Sequence, residues 1–164
     1  MPTVNAVSTT PRTATAVDRP VASDELDSLS TEEQRAAELQ GFEGKAGQTL
    51  ALASGAEGPI VVLVGLGARS DVSTSTLRDA AASFVRAVAK HKVVATNLTA
   101  ELDESARGDA IAAVVEGVRL ASYRYTRFKS NSEPALDRVS LVVKGRGVKA
   151  EVEKQYAAWK EAKG

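Results

Sequence analysis

The sequence has no cysteine, a single histidine and few aromatic residues: three Phe, three Tyr and one Trp among 164 residues. Without thiols there is neither a disulfide framework nor a thiolate metal site. One histidine makes no metal centre unless the fold brings acidic partners to it. His91 sits between Lys90 and Lys92, which reads as a solvated helix end rather than a ligand. A Ser-His-Asp arrangement would have to use this same residue, and no Gly-x-Ser-x-Gly elbow is present. Charge of one sign is lacking as well. Lys plus Arg number 21 and Asp plus Glu number 21, which removes any general attraction to nucleic acid or to an acidic membrane. No apolar run is long enough to span a bilayer, and Met1–Val17 contains no continuous apolar signal-peptide segment, so the expected location is the cytoplasm.

What is present fits one soluble α/β domain. A chain of this length can bury a core, and 43% hydrophobic with 26% charged residues is ordinary for a globular protein. With so few aromatics, Val, Leu and Ala must fill most of that core. The first 28 residues carry Pro2, Pro11 and Pro20 and much Ser and Thr. Short strands at Thr3–Val7 and Ala14–Val17, or partial disorder, are both compatible with them. Ser30-Thr31-Glu32-Glu33 has capping-box spacing and predicts a helix from Thr31 to Leu39, closed by Gly41. Strands are expected at Thr49–Ala53, Ile60–Val64, Val93–Leu98 and Leu136–Lys144. Helices are expected over Thr74–Lys90, with Phe84 on its apolar face, over Ala106–Tyr125, with Val115 on its stripe, and over Lys149–Lys163, with Val152, Tyr156 and Trp159 on one face. Strands alternating with helices predict helices on both faces of the sheet.

Three places could carry chemistry, and each has a plainer structural reading. Gly65-Leu66-Gly67 follows a strand and precedes a helix, where backbone N–H groups can hold an anion. The dinucleotide motif, however, needs a third glycine where Ser70 stands, and there is no P-loop lysine, so a tight strand exit is preferred. The acidic pairs Glu32-Glu33 and Asp103-Glu104 lie at helix starts, where the dipole favours them without any catalytic role. Arg119, Arg124, Arg127 and Lys129 alternate with Tyr123, Tyr125 and Phe128, a pattern able to stack on single-stranded nucleic acid. The plainer reading is a helix C-terminus with inward aromatics, and the zero net charge favours it.

Three segments carry a family resemblance in the right order: Gly41-Phe42-Glu43-Gly44-Lys45-Ala46-Gly47-Gln48-Thr49, Val61-Val62-Leu63-Val64-Gly65-Leu66-Gly67, and Glu116-Gly117 followed by Ser122-Tyr123-Arg124-Tyr125-Thr126-Arg127-Phe128-Lys129-Ser130. Together they resemble the N-terminal domain of the leucine aminopeptidases, the cytosol aminopeptidase family, over Gly41 to Ser130. The resemblance implies a three-layer, macro-domain-like α/β fold with a mixed sheet. It divides the chain into a poorly matched segment 1–28, a macro-like domain 29–148 and a linker helix 149–164 leading to a catalytic domain. It implies a non-catalytic domain with a role in assembly and substrate access. The parent enzyme would remove N-terminal residues from peptides with two divalent metal ions, zinc or manganese, and would form a homo-hexamer. None of the family's metal-binding motifs matches this chain, so no catalytic, cofactor-binding or metal residue is assigned. Two other classes stay open: a free-standing macro-like nucleotide-binding module and a nucleic-acid-binding domain.

Overall fold

A computed structural model describes residues 2–52, 58–128, 136–144 and 148–163; the side chains of 124–128, 162 and 163 are not among those described. Among these residues the strands are β1 (Thr3–Val7), β2 (Ala16–Val21), β3 (Thr49–Leu52), β4 (Ile60–Gly65), β5 (Val93–Thr96) and β6 (Arg138–Val142). The helices are α1 (Thr31–Gln40), α2 (Thr74–Ala87), α3 (Arg107–Phe128) and α4 (Val148–Lys163). The strands form one mixed sheet in the order β1-β6-β5-β2-β4-β3, parallel throughout except for β3, which runs antiparallel to β4.

The N-terminal segment is part of this sheet. Strand β2 lies between β5 and β4, and β1 forms the edge beside β6, so the pairing crosses the 28/29 boundary. The second strand runs Ala16–Val21, where the sequence reading has Ala14–Val17, and so passes through Pro20. A proline in a central strand normally loses a ladder bond. Here Thr15 O and Val21 O accept from Ile60 N and Leu66 N on the β4 side, so the alternation of the strand turns residue 20 toward β5. Pairing with β5 has already ended at Val17↔Ala95, and Pro20 therefore removes no bond.

The two faces of the sheet differ. On one, Val62 and Val64 of β4 and Val139 and Leu141 of β6 meet α2, α3 and α4 in the main core. On the other, Leu63 and Val21 meet Ala37 of α1 and Phe42 in a smaller cluster. Helix α1 is capped as its sequence predicts: Ser30 and Glu33 make the reciprocal capping box, and Gly41 takes the left-handed conformation at φ 72. Phe84 and Val115 are both buried against the sheet. Several ends move inward. Helix α2 stops at Ala87 rather than Lys90 and turns through Val88, so His91 and Lys92 lie in the connection beyond its end. Strand β5 stops at Thr96 because Asn97 leaves the ladder, and Leu98–Glu101 forms a 3₁₀ turn. Strand β6 is Arg138–Val142, shorter than the apolar run Leu136–Lys144. Helix α4 buries Val152 and Trp159, with Tyr156 stacked edge-on to Trp159 at 5.5 Å.

Candidate functional site

Open parallel sheets usually bind ligands beyond the carboxyl ends of their strands, where neighbouring connections diverge. In this chain that place is the gap where β2 parts from β5. Asp18 fills it. Its carboxylate accepts from Thr96 Oγ1 at 2.5 Å and from Asn97 N at 2.8 Å, and Asn97 Nδ2 donates to Asp18 O at 3.4 Å. Only 3% of the residue is exposed. Burial raises the Asp18 pKa to about 6, against the hydrogen bonds from Thr96 and Asn97 that favour the charged form, and the nearby Glu101 pushes it the same way as burial. A perturbed carboxylate in a cleft is often functional. Here both oxygens are already bonded within the chain, and the group works as a staple between two diverging strands.

The glycine loop after β4 is equally occupied. Gly65 N donates to Gln48 O at 2.8 Å, Leu66 N to Val21 O at 3.0 Å, Gly67 N to Gly44 O at 2.9 Å, and Arg69 N to Asp24 Oδ1 at 3.0 Å. These are the donors that an anion site would need, and they are spent on the chain itself. The sequence motif has a packing reason: a Cβ on Gly65 would lie 2.1 Å from Lys45 O. The first and second segments of the family resemblance are thus two sides of one contact. Gln48 holds the first in shape, its Oε1 accepting from Glu43 N and Lys45 N. Above this edge Arg69 joins three connections, donating to Glu25 at 3.0 and 2.8 Å and to Glu101 at 3.0 Å. The pairing raises the Arg69 pKa and lowers that of Glu25, mainly through the hydrogen bonds they share.

The third segment explains itself in the same way. A Cβ on Gly117 would lie 2.2 Å from Arg78 O and 2.9 Å from Ala81 Cβ, so this glycine sets the close crossing of α3 over α2. Beside the crossing, α2, the 44–48 loop and the later part of α3 enclose an open groove of about 720 Å³. Of the basic and aromatic stretch, Arg119 pairs with Glu116 at 3.4 Å and Tyr123 lines the groove. The side chains of Arg124, Tyr125, Arg127 and Phe128 lie outside the described ones, and Lys129 outside the described residues. His91 Nδ1 is 2.8 Å from Thr15 Oγ1, a local contact at the start of the sheet. Among the described residues no group of three His, Cys, Asp or Glu is placed to hold a metal ion, and no helix is long and apolar enough to cross a membrane. The donor set for a two-metal centre is not supplied by these residues.

Sequence reasoning missed Asp18, the Arg69 bridge and the groove. An acid directly after the strand-like run Ala14–Val17 was a usable signal for the first. The groove has none, because it arises from small residues that are distant in sequence.

The sequence pattern described as "Cytosol aminopeptidase family, N-terminal domain" matches residues 13–132. The chain belongs to the cytosol aminopeptidase family. The probable cytosol aminopeptidase of Aquifex aeolicus is 31% identical over 119 residues, covering 72% of this chain and 24% of that protein. The one from Microcystis aeruginosa is 43% identical over 96 residues, covering 56% and 19%. The chain therefore spans about a quarter or less of the curated relatives it matches. Among solved structures, the bottromycin maturation enzyme BotP in complex with Mn superposes with a TM-score of 0.68 at 27% identity, covering 90% of this chain and 30% of that one. A macrodomain from Oceanobacillus iheyensis, solved with ADPR, shares the fold alone, with a TM-score of 0.59 at 12% identity over 96% of this chain and 92% of that one. The three-layer architecture is that of aminopeptidase N-terminal domains and of a macrodomain.

Proposed function

We propose that this chain acts as the N-terminal, non-catalytic domain of a leucyl aminopeptidase and contributes to assembly and substrate access rather than to bond cleavage. The observation that carries the reading is the match of 13–132 to the family's N-terminal domain, in a chain whose strand-end crevice is filled by its own side chains. The reaction belongs to the parent enzyme. There, two divalent ions, zinc or manganese, would polarise the scissile carbonyl and activate a water, and a C-terminal domain would hold them. Helix α4 would lead toward that domain, the assembly would be a homo-hexamer, and its location the cytoplasm. The test is direct. Purified chain should not turn over leucine p-nitroanilide with or without added manganese or zinc, and metal-dependent turnover co-purifying with it would refute the reading. Assembly is tested separately. The chain should co-sediment with the C-terminal part of the Aquifex aeolicus relative, expressed without its matched 119 residues.

The fold shared with a macrodomain keeps a nucleotide-binding reading open to test. The occupied N–H groups at Gly65, Leu66 and Gly67 argue against it. Titration with ADP-ribose should leave the amide resonances of 65–69 unshifted.

A further inference from the structure

The groove between α2 and α3 has the size and the chemistry of a binding site, and no role has yet been given to it. Its volume, about 720 Å³, falls within the range of small-molecule sites. The space exists because its floor and one wall are built of small residues, Ala82 and Ser83 of α2 with Ala46 and Gly47 of the loop. Among the described residues the opposite wall is formed by two large side chains of α3. Leu120 and Tyr123 line it and remain 48% and 47% exposed; among the described residues the other exposed large hydrophobic side chain is Leu39.

The groove is also bipolar. Asp79 and Arg86 both line it from α2, and both are exposed. Seven residues apart is close to two full turns, so the two charges lie on one stripe, about 10 Å apart along the axis. Arg86 lies in the last turn of the helix, where the dipole favours a cation, and Asp79 lies mid-helix. Arg86 Nη2 donates to Ser83 Oγ at 3.2 Å, which draws the guanidinium over the groove floor. Among the described residues Asp79 meets the adjacent Arg78, Nε to Oδ1 at 3.4 Å, in an exposed pair of the kind that contributes little.

We propose that this groove binds a short peptide with both ends free. The α-ammonium would lie against the Asp79 carboxylate and the α-carboxylate against the Arg86 guanidinium, with a side chain packed on Leu120 and Tyr123. An extended chain spans at most about 3.5 Å per residue, so three residues match the separation of the two charges. The ligand class is thus a tripeptide-sized zwitterion with an apolar side chain. The inference stands apart from the assembly role proposed above, since it needs only this domain.

The test is a titration of the chain with Ala-Leu-Ala, followed by amide chemical shifts and calorimetry. Saturable shifts in 75–86, 44–48 and 120–123 are expected. N-acetylation or C-amidation of the peptide should each weaken binding by about fivefold, the scale of one exposed ion pair. Asp79→Asn should make binding indifferent to N-acetylation while keeping the response to C-amidation, and Arg86→Gln should do the reverse. Both positions are on the surface, so both variants should fold. Absence of saturable shifts, equal binding of the doubly blocked peptide, or shifts confined to other elements would overturn the proposal. So would concentration-dependent self-association, by sedimentation, that protects the same amides, because the groove would then hold a second copy of the chain.

Discussion

The strand-end edge and the α2–α3 groove are two depressions in one domain, and they differ in what their polar groups are doing. At the strand end, Asp18, Thr96 and Asn97 satisfy one another, the N–H groups of 65–67 are bonded to carbonyls, and Arg69 is held by two carboxylates. Among the described residues of the groove the walls are small or apolar apart from the hydroxyls of Ser75, Thr76 and Ser83, and the two charges meet their helix neighbours Arg78 and Ser83. The fold marks the first as the customary ligand position. Its capacity to bind is nevertheless set by whether donors and acceptors are left over. An edge whose groups are already paired offers a ligand nothing that the chain does not already take.

The comparison can be broken at the support that the groove and the sheet share. Phe84 lies in α2, beneath the groove and against the sheet, and is 1% exposed. Phe84→Ala should cost about 3–5 kcal/mol in chemical denaturation. A loss below about 1 kcal/mol would show that α2 does not pack as described.

Asp18 sharpens it. Its folded pKa, about 6, lies above the ordinary carboxylate value of 3.8. Protonation therefore favours the folded state. The contribution is fully present below about pH 4 and is lost as the pH rises through about 6, a swing of about 3 kcal/mol. Stability measured from pH 4 to 7 for the native chain, minus that of Asp18→Asn, should show this swing. A flat difference would mean that Asp18 reaches solvent.

The two motif glycines come next. Gly65→Ala would press a methyl onto Lys45 O and should close the strand end less well. Gly117→Ala would lever α3 away from α2 and deform the groove. Each should cost about 1–3 kcal/mol, because the groups in the way include backbone that cannot swing aside. Thermal denaturation of both variants checks this, and a neutral Gly117→Ala would place the helix crossing elsewhere. Smallest is Arg69→Ala, expected at about 1 kcal/mol or less, since the Arg69 ion pairs are more than a third exposed on the arginine side. The loss should shrink as salt is added.

Much of the fold was legible because it rests on local rules. The capping box at Ser30 and Glu33, the αL glycine at 41, the apolar strand 60–64 and the stripes through Phe84 and Val115 are all short-range patterns, and the structure contains each of them. The second capping box, Ser73 with Thr76, escaped because a threonine replaces the usual Glu or Gln. The ends of β2, β5 and β6 were not legible, since a strand stops where its partner leaves it, and the partner is distant in sequence. The family segments were readable as a pattern but not as a cause. That Gly65 makes room for Lys45 and Gly117 for Arg78 is a statement about pairs of elements.

Composition and periodicity by themselves determined an α/β domain without thiol chemistry, with cores built from Val, Leu and Ala, and with helices and strands close to their observed places. Only the tertiary structure decided that the proline-rich first residues supply a central strand, that the glycine loop spends its donors internally, and that an open groove lies on the other side of α2. The physical reason is the same in each case. Hydrogen-bond satisfaction and empty volume belong to groups that meet across the fold, and a linear pattern records what each residue prefers but not which partner reaches it.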